Sequence, residues 1–339
     1  MGSVRAVCDP YVTMLGTCFY GRVYEERELL NMLDPELSEG GRTIIVTGPR
    51  GAGKSELVRF ISWRHLDRSN LLVLSFDARA GRAAQLLEGM RVYGGLRRAV
   101  REVARSLAET IAGELSRLLS PMPQARLAAI LFSVYQVLAK LEAAARESLA
   151  DRVYIVVDEF HRLHGVAGFR GALEDLEDIA ALLSKDRVSY GRYVLLVTTS
   201  EGFIQVGSSR DRLRGYNVAY LLVEEMDAES FRELYREFCS KRKTGCTVPL
   251  EYVEKLAGRL PGYLRELEDA GREARLESLV GEWIARFIET LEDLAEASRE
   301  QVRQIAAAIS EAFKAEKPYS EYGLKPRHVE ELVRRNIAY

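Results

Sequence analysis

Runs of apolar residues divide the chain into predicted strands, and the stretches between them repeat apolar residues at helical spacing. Each run is short and almost continuously apolar, which is typical of a strand buried on both faces. The runs are Thr43–Thr47, Leu71–Phe76, Arg152–Val157, Tyr193–Ser200 and Ala219–Val223. Five strands that alternate with helices predict an α/β fold, a parallel sheet flanked by helices.

The remaining segments are rich in helical patterns. Residues 82–150 predict two or three helices, one break falling at Tyr93–Gly95, and Arg170–Ser184 predicts another helix. From Met226 the pattern is helical to the end, with Asp227 as the N-cap of the first of these helices. We therefore expect a core over 1–225, a helical lid over 226–275 and a small, mostly helical domain over 276–339.

An octapeptide directly after the first strand fits the P-loop pattern G-x-x-x-x-G-K-[ST]. It consists of Gly48, Pro49, Arg50, Gly51, Ala52, Gly53, Lys54 and Ser55, and Glu56 opens the next helix. Glycines let backbone N–H groups point at phosphate oxygens, and a helix N-terminus adds the positive end of its dipole. Lys54 would reach the β- and γ-phosphates, and Ser55 would place its hydroxyl on Mg²⁺. We expect Gly48 to Glu56 to bind a nucleoside triphosphate.

The third apolar run ends in two acids that complete such a site. Asp158 stands at the carboxyl end of the run and would hold Mg²⁺ through water. Glu159 follows and would act as the general base that polarises the attacking water. The fourth run ends in Thr199 and Ser200, which either sense the γ-phosphate or cap the next helix.

Composition and charge limit the classes of partner and the compartment that we expect. The chain has 339 residues and a net charge of −2, whereas a dedicated nucleic-acid binder is usually more basic. No apolar run approaches the roughly 20 residues of a membrane span, and Met1–Ala6 has no signal-peptide pattern. These features predict a cytoplasmic protein.

The four cysteines form no C-x-x-C pair, which argues against zinc. We expect free, partly buried thiols in a reducing compartment. A Cys239–Cys246 bridge is the alternative, because hyperthermophiles use disulfides inside cells.

The order of motifs resembles one family of P-loop proteins. A strand beyond the Asp-Glu strand, followed by a helical lid, is similar to the additional-strand branch that includes the AAA+ and STAND proteins. Within it, the entry Phe19-x-Gly21-Arg22-x-x-Glu25, the P-loop, Asp158-Glu159 and the motif Gly258-x-x-Pro261-Gly262-Tyr263-Leu264 resemble the STAND-like archaeal ATPase family over residues 19–265.

The resemblance implies further roles. Gly21 and Arg22 would lie near the adenine, and Pro261 would bring the lid against the nucleotide. The family usually has a Gly-Arg pair after the fourth strand, where this chain has Arg214-Gly215. Arg214 is thus the candidate for a phosphate-sensing arginine. Members often end in a winged-helix domain, which the last predicted helix could fit.

Taken together, the motifs predict an ATPase that uses ATP and Mg²⁺. The leading hypothesis is a switch whose lid movement acts on a protein partner, on nucleic acid or on a further copy of the chain. The second hypothesis is a DNA-linked ATPase resembling origin-recognition initiators or transposon helper ATPases. A third hypothesis, a small-molecule kinase, would need a second pocket with its own acid or arginine clamp, and the long helical tail gives it no support. A fourth is a signalling module that binds ATP but barely turns it over.

Overall fold

The computed structural model describes residues 5–8, 11–33, 41–66, 71–78, 91–94, 113, 127–145, 148, 150–160, 168–185, 190–199 and 213–270. The strands are β1 (Ala6–Val7), β2 (Phe19–Tyr20), β3 (Arg42–Thr47), β4 (Leu71–Asp77), β5 (Arg91–Gly94), β6 (Arg152–Asp158), β7 (Tyr193–Thr198) and β8 (Val218–Leu222). The helices are α1 (Val23–Leu33), α2 (Lys54–Leu66), α3 (Leu127–Ala145), α4 (Gly168–Lys185), α5 (Ala228–Ser240), α6 (Leu250–Ala257) and α7 (Leu264–Ala270). A 3₁₀ turn over Pro261–Tyr263 leads into α7. None of the described helices is long and apolar enough to cross a membrane.

The sheet confirms the predicted parallel architecture. Its strand order is β5-β4-β6-β7-β3-β8, and β4, β6, β7, β3 and β8 run parallel. Strand β3, which leads into the P-loop, pairs with β7 on one side and β8 on the other. Strand β7 therefore separates β3 from β6, the strand that ends at Asp158. The carboxyl ends of all three strands meet at one edge of the sheet.

The helix predicted to run up to the break at Tyr93–Gly95 is wrong at its end, where the structure has a strand. Residues Arg91–Gly94 form β5, which pairs antiparallel with β4 at the edge of the sheet. A four-residue edge strand takes its hydrogen bonds from its neighbour, so its own sequence carries little of the period-2 pattern. The sequence also places a basic stripe on the first helix predicted in 82–150, which is either a solvated face balanced by nearby glutamates or a contact for nucleic acid or an acidic partner. Its residues, Arg97, Arg98, Arg101 and Arg105, lie outside the described part of the chain.

The core lies on both faces of the sheet because successive side chains of a strand point to opposite sides. In β3, Ile44 and Val46 pack into one cluster with α1 and α2, while Ile45 packs into another with α3 and α4. All three side chains are fully buried. Burial on both faces explains why the strands read as continuous apolar runs, and α4 confirms the helix predicted there.

A third apolar cluster holds the helical lid together. It joins α5, α6 and α7 through residues that include Phe231, Phe238, Leu264 and Leu267. Asp227 caps α5 as predicted, since its Oδ1 accepts the Ser230 N–H at 2.8 Å. Residues 271–339, and with them the predicted C-terminal domain, lie outside the described part of the chain. The division into domains stays a prediction.

The expectation of free thiols is wrong. Disulfide bonds join Cys8 to Cys18 and Cys239 to Cys246. The first ties β1 to β2, and the second closes the turn that follows α5. The sequence suggested only the second bridge, because Cys8 and Cys18 come together through the antiparallel pairing of β1 with β2.

Replacing the cap of α5 should measure how firmly the lid is held. Asp227→Ala leaves the first N–H groups of α5 without a side-chain acceptor, which costs roughly 1 kcal/mol. We expect Asp227→Ala to unfold at a lower denaturant midpoint than the wild type, with unfolding monitored by circular dichroism. Asp227→Asn is the matched control, because asparagine caps helices about as well as aspartate. Equal midpoints for the alanine variant and the wild type would contradict this role of the cap.

Candidate functional site

The P-loop is a turn of nearly bare backbone between β3 and α2. Gly51 and Gly53 have φ of 84° and 94°, in the left-handed region that favours glycine. Gly48 lies against the backbone of Val223, where no side chain fits. Such a turn at a helix N-terminus offers N–H groups and a positive dipole end to an anion. Pro49 is half-buried in it and Arg50 is exposed at its tip.

Lys54 lies inside this turn. It is the first residue of α2 and is buried, and its Nζ donates to the carbonyls of Gly48 at 2.8 Å and Pro49 at 2.9 Å. The ammonium group is thus held at the place where the turn would receive phosphate. A bound phosphate oxygen would compete with these carbonyls for its three donors.

The side chains of Ser55, Asp158 and Thr198 meet where β3, β6 and β7 end. Ser55 Oγ donates to Asp158 Oδ1 at 2.6 Å, and Thr198 Oγ1 donates to the same oxygen. Burial raises the pKa of the Asp158 carboxyl, and so do the nearby charges of Glu159 and Asp77. The two hydroxyl hydrogen bonds act in the opposite direction. Together these contacts fix the carboxylate beside the P-loop.

Ser55 and Asp158 suit a hard cation. Mg²⁺ takes oxygen ligands at about 2.0–2.1 Å in an octahedron, which puts neighbouring ligand oxygens about 3 Å apart. The 2.6 Å between Ser55 Oγ and Asp158 Oδ1 is close to that spacing. The pair could therefore contact one ion, with Ser55 bound directly and Asp158 bound directly or through water.

Glu159 has an unusual backbone that Thr198 supports. Its φ is 55°, a left-handed conformation that is uncommon outside glycine. Its N–H donates to Thr198 Oγ1 at 3.0 Å, so one hydroxyl contacts both acids. Such conformations cluster at functional sites. Sequence reasoning missed Thr198, although a hydroxyl at the end of the strand between β3 and β6 was a signal for it.

The three residues predicted as phosphate sensors lie in different places. Thr199 is buried just beyond β7, and its N–H donates to the carbonyl of Val46 at 3.0 Å, while Thr198 contacts Asp158. Ser200 lies outside the described residues. Arg214 is exposed before the amino end of β8, at the edge of the sheet opposite the P-loop. The interpretation of Arg214 as a phosphate sensor is therefore wrong, because β8 runs parallel to β3 and only its carboxyl end reaches the P-loop.

The entry motif packs directly on the P-loop. Gly21 and Arg22 have φ of 60° and 57°, and a side chain at Gly21 would collide with Ser230 of α5. This backbone turns the Arg22 side chain inward, where it is buried. Its Nη2 donates to the carbonyl of Ala52 at 2.7 Å, and its Nη1 contacts Glu25 at 2.6 Å.

The lid meets the P-loop through a backbone hydrogen bond, and the side chains of Tyr263 and Leu260 lie beside Gly51. The N–H of Gly262 donates to the carbonyl of Gly51 at 2.9 Å. A Cβ atom on Gly262 would lie 2.6 Å from the Cα of Gly51, a distance that real Cβ atoms do not reach. The approach therefore depends on glycine at position 262, while the φ of 84° favours glycine at position 51. Pro261, next to Gly262, lines the same cleft.

These parts enclose a cleft of about 380 Å³ between the entry motif, the P-loop and the lid. Its walls include Arg22, Gly51–Glu56, Glu159, Pro261 and Arg265. Volumes of about 300–1,000 Å³ are usual for small-molecule sites. Arg22, Pro261 and the P-loop residues Gly51–Glu56 thus share one cavity with the candidate general base, whereas Gly21 and Gly48–Arg50 do not line it.

Two residues of the cleft differ from the sequence-based expectation. Arg265 was missed, although a cation in the first turn of a helix is unfavourable for the dipole and so is a signal for another role. The Glu56 carboxylate, expected at the nucleotide, accepts hydrogen bonds from Tyr11 and Arg59 instead. Any contact of Glu56 with a nucleotide would come from its backbone N–H at the start of α2.

A comparison with protein families gives one match. Residues 19–267 match the model of an ATPase domain found predominantly in Archaea. This range begins at the entry motif and ends within α7 of the lid. No curated protein matches the chain.

Solved structures with a similar fold include three archaeal proteins. The Aeropyrum pernix ORC1 protein in complex with DNA is 16% identical, with a TM-score of 0.48 over 91% of this chain and 80% of that one. The Aeropyrum pernix ORC2 protein, in ADPNP–ADP complexes, is 15% identical, with a TM-score of 0.45 over 98% and 84%. Cdc6p from Pyrobaculum aerophilum is 13% identical, with a TM-score of 0.42 over 96% and 82%.

Substituting Thr198 should test the arrangement of the two acids. Thr198→Val keeps the shape of the side chain but removes the hydroxyl that contacts Asp158 and Glu159. We expect ATP turnover to fall about 10–100-fold, as is usual when a partner of a metal ligand is lost. Steady-state turnover at saturating ATP and varied Mg²⁺ measures the effect. Thr43→Val on β3 is the matched control, since the buried Thr43 hydroxyl has no hydrogen-bond partner in the described structure. Similar turnover in the two variants would contradict the role of Thr198.

Proposed function

Since the chain belongs to the family of ATPase domains found predominantly in Archaea, we propose that it binds and hydrolyses ATP as a molecular switch. The movement of its lid would act on a protein or nucleic-acid partner. One observation carries the proposal above all: the lid donates a backbone hydrogen bond to the P-loop, from Gly262 to Gly51. A ligand seated in this cleft contacts both the core and the lid. Its chemical state therefore changes the relative stability of the closed and open states of the lid.

Binding would begin at the P-loop. Its N–H groups and the α2 dipole receive the phosphates, and Lys54 exchanges the carbonyls of Gly48 and Pro49 for phosphate oxygens. Arg22 and Arg265 supply further positive charge from the entry motif and the lid. Ser55 and Asp158 would hold Mg²⁺, which neutralises charge on the β- and γ-phosphate oxygens when it is bound.

Hydrolysis would depend on Glu159. Its carboxylate accepts a proton from the attacking water as the oxygen of that water bonds to the γ-phosphorus. The bond between the γ-phosphorus and the bridging oxygen then breaks, leaving ADP and phosphate. The hydrogen bond from the Glu159 N–H to Thr198 supports the backbone that aims this carboxylate.

Reopening of the lid would follow from loss of the γ-phosphate. Apart from the bonds made by residues 11–18, the described polar contacts between lid and core include Gly262 with Gly51 and Arg259 with Glu225 at 3.4 Å. An exposed ion pair of this kind is worth roughly 0–1 kcal/mol. Contacts from lid to phosphate can therefore decide the balance between closed and open states.

Lys54→Ala tests nucleotide binding. The variant loses the cation inside the P-loop, and we expect ATP affinity to fall at least about 100-fold, since charge-assisted hydrogen bonds to phosphate are strong. Isothermal titration calorimetry with ATP and Mg²⁺ measures it. Lys185→Ala, an exposed lysine at the end of α4, is the control and should bind like the wild type. Unchanged affinity in Lys54→Ala would remove this residue from the site.

Glu159→Gln tests hydrolysis apart from binding. Glutamine keeps the size of the side chain but cannot accept the proton, so we expect unchanged ATP binding and turnover reduced about 10²–10⁴-fold. Phosphate release at saturating ATP measures turnover. Glu174→Gln, on the exposed side of α4, is the control. A variant that hydrolyses ATP at the wild-type rate would place the base elsewhere.

The same assay separates the switch from the competing functions. Turnover per subunit that rises with protein concentration would show that a second copy completes the site. Stimulation by duplex DNA with steep salt dependence would favour the DNA-linked ATPase. Tight ATP binding with negligible turnover in both the wild type and Glu159→Gln would identify a slow signalling module.

A further inference from the structure

The segment Tyr11–Cys18, here called the clasp, is a compact loop between β1 and β2. The Cys8–Cys18 disulfide closes it. Within it, the N–H groups of Thr13 and Gly16 donate to the carbonyls of Thr17 and Thr13, both at 2.9 Å. The clasp therefore has a shape of its own that the disulfide helps to fix.

The clasp is bound to the core at the start of α2, the helix that follows the P-loop. The buried Tyr11 donates its hydroxyl to Glu56 Oε1 at 2.5 Å, and the N–H of Met14 donates to Glu56 Oε2 at 3.1 Å. Arg59 donates to the carbonyl of Val12 at 2.9 Å. Glu56 follows Ser55 in α2, so these bonds connect the clasp to the first turn of the P-loop helix.

The opposite side of the clasp is bound to the lid. The N–H of Cys18 donates to Glu237 Oε2 of α5 at 2.9 Å. Lys241, just beyond α5, donates to the carbonyl of Gly16 at 2.5 Å, and Arg265 of α7 donates to that of Met14 at 3.0 Å. The clasp thus bridges the core and the lid at the rim of the cleft.

The inner face of the clasp lines the nucleotide cleft. Thr13, Met14, Leu15 and Cys18 line the cavity that also contains Gly51–Glu56 and Pro261. A nucleotide seated on the P-loop would have the clasp as one of its walls. Movement of the clasp away from the core or the lid would open this wall and ease release of the nucleotide.

We propose that the clasp retains bound nucleotide and that the Cys8–Cys18 disulfide sets the rate of nucleotide release. The proposal rests on the function proposed above, because it takes the cleft to be the nucleotide site. A loop linked by a disulfide has fewer conformations than a reduced loop. Breaking the disulfide therefore lets the clasp move away from the cleft more often. Cys8 is exposed and Cys18 is half-buried, which gives a reductant access to the bond.

The chemistry of the change is simple. A dithiol reductant such as dithiothreitol supplies two electrons and two protons, the bond between the two sulfur atoms breaks, and two thiols form. The reductant is oxidised to its own cyclic disulfide. Reoxidation restores the closed clasp, so the effect on release should be reversible in one protein sample.

The test measures release of N-methylanthraniloyl-ADP from the full chain by stopped-flow fluorescence, before and after reduction. We expect reduction of the wild type to speed release by about tenfold and reoxidation to restore the slow rate. Cys239→Ser/Cys246→Ser contains the clasp disulfide alone and should keep this response. Cys8→Ser/Cys18→Ser should release fast under both conditions. Tyr11→Phe, which removes the hydroxyl that contacts Glu56 and Arg59 without touching a cysteine, should also speed release.

Three results would overturn the proposal. Equal release rates for oxidised and reduced wild type, with ADP still bound, would exclude the clasp and leave the proposed function intact. A response that disappears in Cys239→Ser/Cys246→Ser and persists in Cys8→Ser/Cys18→Ser would assign it to the lid disulfide. No binding of the ADP probe in either state would overturn the proposed function and the clasp together. Circular dichroism of each variant shows whether a faster rate reflects loss of fold.

Discussion

The site depends on one set of hydrogen bonds, in which Asp158 accepts the hydroxyls of Ser55 and Thr198 at the ends of three neighbouring strands. Ser55 belongs to the helix after β3, Asp158 ends β6 and Thr198 ends β7. These groups can meet only if the three strands are parallel, adjacent and in register. The apolar core on both faces of the sheet provides that register, because a slip of one residue would exchange the side chains packed on the two faces and break their fit.

Most of the core could be predicted from the sequence because its strands are continuously apolar and its P-loop is a local motif. The predictions that were wrong concern features that depend on how segments pair or lie in three dimensions. Arg91–Gly94 is a strand only because β4 pairs with it, and Cys8 meets Cys18 only because β1 pairs with β2. Arg214 follows a plausible motif order but lies at the far edge of the sheet.

The candidate site was predictable where one segment supplies it. The P-loop is one continuous segment and Asp158-Glu159 is another, and the structure brings the two together with the entry motif. Thr198 and Arg265 were missed because their roles depend on which neighbour their side chains face. Thr198 and Thr199 are adjacent in sequence, yet alternation along a strand gives them different surroundings. Glu56 shows the converse, since its position beside Ser55 suggests a nucleotide contact whereas its carboxylate binds the clasp.

The contact between Gly51 and Gly262 has a consequence for how such a chain can change over time. The two positions are 211 residues apart in sequence (262 − 51), yet the backbone of Gly51 occupies the space that a side chain on Gly262 would need. A substitution at Gly262 is therefore constrained by how closely the P-loop approaches the lid. A lineage that loses this approach is released from keeping glycine at position 262, whereas the φ of 84° at Gly51 favours glycine there in either case. Gly262 is thus retained by a contact with a distant segment, although it has no functional group of its own.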